Sequence, residues 1–308
     1  MLRSINSHFA VCLFVFGVGF ASVAQAVTIY ATSYEGQAIY KCDTVTNTNT
    51  LVHSTASAGN PDSLLFDPAG RIIYSATANG TIHSYNPVGN LDTTLAFASN
   101  PVDLALDPSG TTFLVSDIGS PSLTRIPVAG GAPTLLVNGS YDGGIAYANA
   151  NLFAIANHTE VDQLNPTTGA LLNSSIPNAL LDLDGMTYDP LTQHLWATDL
   201  NNGSLVEFDP AALTYSVHAL PSYFGGSLEP DGIISDGAGT LYFASRKAFS
   251  IYSYDIATAT ITAHNQVFGV DDLAPIIGPG SLESVPEPAS LVSLAVGAAL
   301  LLRRRNRI

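Results

Sequence analysis

Basic residues are scarce in this sequence and unevenly placed. Only 10 Lys and Arg residues accompany 25 Asp and Glu residues in 308 positions, and four of the ten, Arg303, Arg304, Arg305 and Arg307, lie near the C-terminal end. Between residues 27 and 284, five basic residues face 24 acidic ones, a net formal charge of −19 with histidine neutral. A surface of this sign repels phosphate backbones, so we expect no nucleic-acid partner.

Other absences exclude several common kinds of active site. The chain has two cysteines, Cys12 and Cys42, and no C-x-x-C pair, so neither a thiolate zinc site nor a disulfide framework is expected. None of the seven histidines forms an H-E-x-x-H motif. We predict strand-surface roles for six of them, about one per blade: His53, His83, His158, His194, His218 and His264. No G-x-S-x-G or P-loop motif is present.

A short hairpin pattern recurs along the chain. In residues 183–199, two apolar-rich arms flank Asp189-Pro190, which favours a turn. The turn positions of five such copies are separated by 40, 42, 40 and 47 residues; they are Asp67, Asp107, Asn149, Asp189 and Asp236. A third and a weaker fourth strand follow each hairpin. Four antiparallel strands in each period of about 40 residues are typical of a propeller blade.

The first period is incomplete. Residues 28–32 and 38–42 resemble second and third strands, and we expect the missing inner strand to come from the other end of the chain. Five hairpins and this composite predict an all-β, six-bladed β-propeller of four-stranded antiparallel blades over residues 27–275. The Gly/Pro-rich residues 276–284 are predicted to be a linker.

The pattern resembles the NHL and gluconolactonase-like six-bladed propellers, whose blades begin with Pro-Asp-Gly-like turns and continue Asp-x-x-Gly-x-Leu-Tyr. The resemblance covers roughly residues 28–275. It implies a divalent cation at the mouth of the central channel, where Asp184 of Asp184-Gly185-Met186 matches the aspartate ligand, and it implies a metal-dependent hydrolase. The chain departs from that family because no Glu-Gly-Pro opens its first blade and no Asn-Gly opens an inner strand.

The starts of the predicted inner strands also contain aspartates that could bind a cation. Four aspartates occupy equivalent positions there, and Asp103 and Glu229 lie nearby; the four are Asp62, Asp142, Asp184 and Asp231. If they point toward one axis, each carboxylate raises the pKa of the others, and a cation relieves the repulsion. Oxygen ligands favour Ca²⁺ over Zn²⁺. The alternative is that each Asp-Gly pair only forms a turn.

The N-terminal residues 1–26 have the order of a secretory signal peptide. Arg3 precedes an apolar run at residues 9–21, and Ala24-Gln25-Ala26 is an A-x-A cleavage site. We therefore expect export and a mature chain that begins near Val27. A short buried helix is the alternative.

The C-terminal residues 285–308 combine three features in order. Val285-Pro286-Glu287-Pro288 precedes an apolar run at residues 289–302, and an arginine cluster at Arg303, Arg304, Arg305 and Arg307 follows. This order resembles the PEP-CTERM sorting signal of Gram-negative bacteria, which implies processing by an exosortase. The apolar run can enter a bilayer with the arginines on the cytoplasmic side. It is shorter than the roughly 20 residues of a full span, and a permanent tail anchor or a helix packed on the propeller are the alternatives.

These features together predict an inner-membrane-anchored precursor that becomes a cell-surface or extracellular-matrix propeller. No catalytic set is recognised, so we expect a non-enzymatic binding or structural protein, with the exosortase as partner of the tail. An extracellular polysaccharide or a surface protein is a candidate partner of the body. The alternatives are a metal-dependent lactonase-like hydrolase at the channel mouth and a scaffold that binds a protein on its top face.

Overall fold

The computed structural model describes residues 27–175 and 181–274. Within these residues the chain forms 24 β-strands and one 3₁₀ helix, Thr77–Asn79. In chain order the strands are β1 Thr28–Ser33, β2 Ala38–Asp43, β3 Thr48–Ser54, β4 Pro61–Phe66, β5 Ile72–Ala76, β6 Thr81–Asn86, β7 Leu91–Phe97, β8 Pro101–Leu106, β9 Thr112–Asp117, β10 Ser122–Pro127, β11 Thr134–Asn138, β12 Tyr141–Ala148, β13 Asn151–Ala156, β14 Glu160–Leu164, β15 Leu171–Ser175, β16 Leu183–Asp189, β17 His194–Asp199, β18 Ser204–Asp209, β19 Thr214–Ala219, β20 Pro230–Ser235, β21 Thr240–Ser245, β22 Ser250–Asp255, β23 Thr260–Gln266 and β24 Val270–Ala274.

The strands form six four-stranded antiparallel sheets, which are the blades of a propeller. Blade 1 has the order β24-β1-β2-β3, and blades 2 to 6 each take four consecutive strands, from β4–β7 to β20–β23. The six-bladed, all-β architecture predicted from the hairpin period is therefore confirmed.

Blade 1 closes the ring with strands from both ends of the described chain. Strand β24 pairs antiparallel with β1, and Ala31 lies opposite Leu273 in the ladder. The side chains of Val270 and Leu273 are buried beside Ile29. The predicted closure is confirmed, and β1 is not an open edge because it pairs with β24 on one side and with β2 on the other.

Apolar side chains fill the spaces between neighbouring blades. Phe113 of blade 3 packs in one cluster with Leu65 and Ile73 of blade 2, and Trp196 of blade 5 packs with Phe243 of blade 6. Alternate residues of each strand reach these interfaces because side chains alternate between the faces of a sheet. The free thiol of Cys42 is fully buried, so core packing and strand pairing stabilise the described part of the chain.

A polar cluster joins blades 1 and 2. The Asp92 carboxylate lies 3.0 Å from His53 Nε2 and 3.1 Å from His83 Nδ1, and it accepts a 2.6 Å hydrogen bond from the Tyr74 hydroxyl. These contacts hold the pKa of Asp92 at about 2, although its partial burial acts in the opposite direction. The strand-surface position predicted for the histidines is wrong for His83, which is 9% exposed.

The predicted signal peptide, linker and sorting signal lie outside the described residues. Within residues 27–175 and 181–274, no helix is long and apolar enough to span a membrane.

Candidate functional site

The six inner strands surround a central channel that contains a cavity of about 430 Å³. Carboxylates line the end of the cavity where the inner strands begin, and we call this end the mouth. Farther along, the walls are largely apolar, with Leu64, Ile145, Met186 and Ile233 among the lining residues. The channel is therefore polarised, with negative charge at one end.

A β-bulge near the start of each inner strand sets the direction of the residues at the mouth. In blade 5, Leu183 pairs with Asp199 and Met186 with Ala197, so Asp184 and Gly185 together lie opposite Thr198. Backbone N–H groups in the bulge that do not bond within the ladder donate instead to hydroxyls of the second strand. For example, the Gly185 N–H donates to Thr198 Oγ1 at 2.9 Å. Because a bulge redirects side chains, two consecutive residues of the strand can face the channel end.

Six aspartates meet at the mouth through this arrangement. The second residue of the inner strand supplies four of them and the third supplies two, and we call the set the acidic mouth. Its members are Asp62, Asp184, Asp231 and Asp271 at second positions and Asp103 and Asp272 at third positions.

The structure thus brings together three of the four aspartates predicted from the sequence. Asp142 stands at the rim with His158 instead. In blade 4, Tyr141 pairs with Ala156 and Ile145 with Ala154, so the bulge contains three residues where that of blade 5 contains two. The additional residue changes the register of Asp142 relative to the acidic mouth.

The sequence analysis expected the inner strand of blade 1 to come from this end of the chain, but it missed Asp271 and Asp272 as site residues and mentioned Asp103 only as a neighbour. The signal that could have found Asp271 is its spacing after the last hairpin, since it holds the second position of the inner strand of blade 1. Glu229 lies apart and pairs with Lys247 at 3.3 Å.

Hydrogen bonds from the inner strands of both neighbouring blades reach Asp103. The Ser63 hydroxyl donates to Asp103 Oδ1 at 3.0 Å, and the Ile145 N–H donates to Asp103 Oδ2 at 2.6 Å. Asp103 therefore connects blades 2, 3 and 4. These donors favour the ionised form of the Asp103 carboxyl and limit the effect of its burial.

Glycines occupy the third positions on the other side of the mouth. A Cβ atom on Gly232 would lie within 3 Å of the Asp272 side chain and backbone, and one on Gly185 would lie 2.7 Å from the Asp231 carbonyl oxygen. The inner strands of blades 5, 6 and 1 can therefore approach closely only because these residues have no side chain. This close approach brings Asp184, Asp231 and Asp272 toward one another.

The acidic mouth is electrostatically unfavourable in the fully ionised state. Burial raises the pKa of Asp103 and of Asp271 to about 7. Burial also raises the pKa values of Asp62 and Asp231 well above their usual range, and the neighbouring charges of Asp184 and Asp271 add to the effect. Part of the site is consequently protonated near neutral pH.

Among the Lys and Arg residues that the structure describes, Arg246 is the one that forms ion pairs with the acidic mouth. Its Nη1 lies 3.4 Å from Asp231 Oδ2, and its Nε lies 3.9 Å from Asp271 Oδ1. Partial burial opposes the charge of Arg246, but the surrounding carboxylates raise its pKa nonetheless. One guanidinium partly compensates a set of six carboxyl groups.

A histidine–aspartate pair lies at the rim. His158 Nε2 is 3.7 Å from Asp142 Oδ2, and Nδ1 is 2.9 Å from the Leu183 carbonyl oxygen. Burial opposes protonation of His158, but the Leu183 carbonyl and the Asp142 charge raise its pKa. Among residues 27–175 and 181–274, no three His, Cys, Asp or Glu side chains are already arranged to hold a metal ion.

Comparison with known proteins shows similarity of fold. No protein-family model and no curated protein matches the chain. A chain of a nidogen/laminin complex is 18% identical over 81% of this chain and 98% of its own, with a TM-score of 0.67. The Staphylococcus aureus virginiamycin B lyase is 14% identical over 79% of this chain and 82% of its own, with a TM-score of 0.60. The Streptomyces coelicolor aldose sugar dehydrogenase is 15% identical over 71% of this chain and 86% of its own, with a TM-score of 0.55.

The chain is therefore a six-bladed β-propeller with an acidic channel mouth. Its fold is shared with a protein from a binding complex and with enzymes, so the fold alone does not distinguish these classes of function.

The acidic mouth predicts that the protein becomes more stable as the pH falls from 8 to 5.5. An aspartate with a pKa near 7 in the folded state and near 4 in the unfolded state binds more protons when folded, so stability falls as pH rises through this window. One such group changes the free energy of unfolding by about 2 kcal/mol between these pH values. This change corresponds to roughly 4–8 °C in melting temperature. Thermal melts at the two pH values measure the difference.

The variant Asp103→Asn should reduce this pH difference, because it removes one buried titrating carboxyl. The matched control Asp255→Asn changes an exposed turn carboxylate and should keep the parent difference. If the parent were as stable at pH 8 as at pH 5.5, or more stable, the raised pKa values assigned to the acidic mouth would be contradicted.

Proposed function

We propose that this protein is an exported, cell-surface binding propeller whose acidic mouth holds a cationic group. The observation that carries the proposal is the convergence of six aspartates with Arg246 as their basic contact. Carboxyl groups whose pKa values are raised by burial and mutual repulsion weaken the folded state near neutral pH, which supports a functional role for them. A bound cation would offset that repulsion.

A hard divalent cation is one candidate occupant. Carboxylate and carbonyl oxygens are the ligands that Ca²⁺ prefers, and its flexible coordination tolerates an irregular set. Since no three acidic or histidine side chains of the described residues already surround one point, binding requires that carboxyl groups rotate and that Arg246 moves aside. The expected role of Ca²⁺ here is stability.

Calcium should raise the melting temperature of the parent at pH 8. An ion that binds only the folded state adds about 2.7 kcal/mol to the free energy of unfolding when its free concentration is one hundred times Kd. This stabilisation corresponds to a rise of roughly 5–10 °C in melting temperature. Thermal melts in EDTA and in millimolar Ca²⁺ measure the shift. The double variant Asp184→Asn, Asp231→Asn should lose it, and an equal shift in that variant would place the ion elsewhere.

The proposal of export and sorting rests on the two terminal sequences. The A-x-A site at Ala24-Gln25-Ala26 and the order of Pro-Glu-Pro, apolar run and arginines support a membrane-anchored precursor processed by an exosortase. The proposed destination is the cell surface or the extracellular matrix, where polysaccharide or a surface protein would be the partner of the propeller.

Processing predicts a defined mature chain. Intact-mass analysis of protein from the native host should find chains that begin near Val27 and lack Arg303 to Arg307, cut near Pro286-Glu287-Pro288. Recovery mainly of chains that still end at Ile308 would instead support the permanent tail anchor.

The His158–Asp142 pair supports a second candidate function, a metal-dependent lactonase-like hydrolase. An imidazole whose pKa is raised beside a carboxylate, at the rim of a charged cavity, has the features of a general acid–base group. This function predicts turnover in a screen of lactones and phosphotriesters with added divalent metals, and at least a hundredfold loss in His158→Asn. The absence of turnover in the parent would leave the binding function as the better proposal.

A further inference from the structure

The exposed phenylalanines of the described residues share one face of the propeller. Each lies at a strand end or loop on the side of the mouth, and they are Phe97, Phe224, Phe249 and Phe268. Two of them form a pair: the ring centroids of Phe249 and Phe268 are 5.3 Å apart, and the side chains are 43% and 64% exposed. An exposed aromatic pair is a typical feature of an interaction surface.

The loops that carry this pair are continuous in sequence with residues at the acidic mouth. Phe249 follows Arg246 by three residues, and Phe268 precedes Asp271 by three. Tyr34 is joined to the loop that carries Phe268, because its N–H donates to the Gly269 carbonyl oxygen at 2.7 Å. Partial burial raises the pKa of Tyr34, and the charges of Asp62 and Asp271 raise it further. We call Tyr34, Phe249 and Phe268 the aromatic shelf.

The contacts of Arg246 indicate what the mouth accepts. Its side chain is about half exposed, and its distances of 3.4 and 3.9 Å to Asp231 and Asp271 exceed those of a well-formed charge-assisted hydrogen bond. Asp231 Oδ2 is buried, yet no N–H or O–H group of the described residues donates a hydrogen bond to it. The mouth therefore holds a guanidinium loosely, and the Asp231 carboxyl, once it has lost its proton, has an acceptor atom available for a better-placed donor.

We propose that the acidic mouth and the aromatic shelf form one docking site for a partner polypeptide that presents a Lys or Arg flanked by aromatic or apolar side chains. The partner's cation displaces Arg246 from Asp231 and Asp271, and the flanking side chains cover Phe249 and Phe268. This inference rests on the proposed binding function and specifies the class of partner.

The arrangement of the two surfaces favours a polypeptide over a simple ion. A metal ion in the mouth would compensate the carboxylates but would leave the aromatic shelf exposed to water. A segment with a cation between apolar side chains matches both surfaces, because charge complementarity and apolar contact then act side by side. The net formal charge of −19 over residues 27–284 also attracts basic partners.

The test is calorimetric titration of the full-length chain at pH 8 with an acetylated and amidated peptide of sequence Gly-Phe-Lys-Phe-Gly. Replacing the peptide's Lys by Gln should weaken binding at least tenfold, and replacing both Phe by Ser should weaken it at least fivefold. The protein variant Asp231→Asn, Asp271→Asn should lose at least tenfold in affinity.

Three further protein variants separate this site from nonspecific attraction. Arg246→Ala should bind about fivefold more tightly, because it removes the resident competitor. Phe249→Ser, Phe268→Ser should bind at least fivefold more weakly. The matched control Phe97→Ser removes another exposed phenylalanine of the same face, 79% exposed and at the end of the outer strand of blade 2, and should leave affinity unchanged.

The outcomes distinguish this inference from the proposed function. A Ca²⁺ shift that depends on Asp184 and Asp231, without peptide binding, would overturn the inference and retain a cation-binding mouth. Peptide binding that Arg246→Ala weakens, or that Phe97→Ser reduces as strongly as the shelf variant, would overturn the docking geometry. If neither Ca²⁺ nor the peptide binds, the proposed function fails as well.

Discussion

The ladder between β1 and β24 is the pairing on which the rest of the structure depends. It joins the two ends of the described chain in blade 1 and gives that blade its inner strand. The same strand carries Asp271 and Asp272 to the mouth, next to Asp62 of blade 2 and Asp231 of blade 6. Ring closure and completion of the acidic mouth therefore arise from one strand pairing.

The close approach of the inner strands has an electrostatic cost. Glycines at the third positions of blades 5 and 6 allow the backbones to meet, and this proximity forces buried carboxyl groups together. The raised pKa values show that the ionised site weakens the folded state near neutral pH. Turn-forming aspartates elsewhere differ in this respect: the pKa of Asp255 is lowered by the hydrogen bonds of Thr258.

The acidic mouth points to a narrower class of ligand than the fold alone does. Proteins of similar fold include a chain of a nidogen/laminin complex, a virginiamycin B lyase and an aldose sugar dehydrogenase. In this chain the charge is concentrated at one end of the channel, and exposed phenylalanines lie in loops and strand ends of the same face. Such a surface is suited to a ligand that extends across the face of the propeller.

Much of the fold could be read from the sequence because its signals are local. Turn residues such as Asp189-Pro190 and the alternation of apolar side chains depend on neighbours a few residues away, so the hairpin period predicted blade number and strand count. Position within that period also identified Asp62, Asp184 and Asp231 as residues that face the channel.

The composition of the site was decided by tertiary structure. The wider bulge of blade 4 places Asp142 beside His158, and a bulge length has no clear signature in a single sequence. Asp271 and Asp272 join the mouth only through pairing with the opposite end of the chain. Arg246 reaches it from a loop after the second strand of blade 6. Sequence alone determined which residues repeat, whereas long-range strand pairing determined which carboxyl groups share one buried space and one counter-ion.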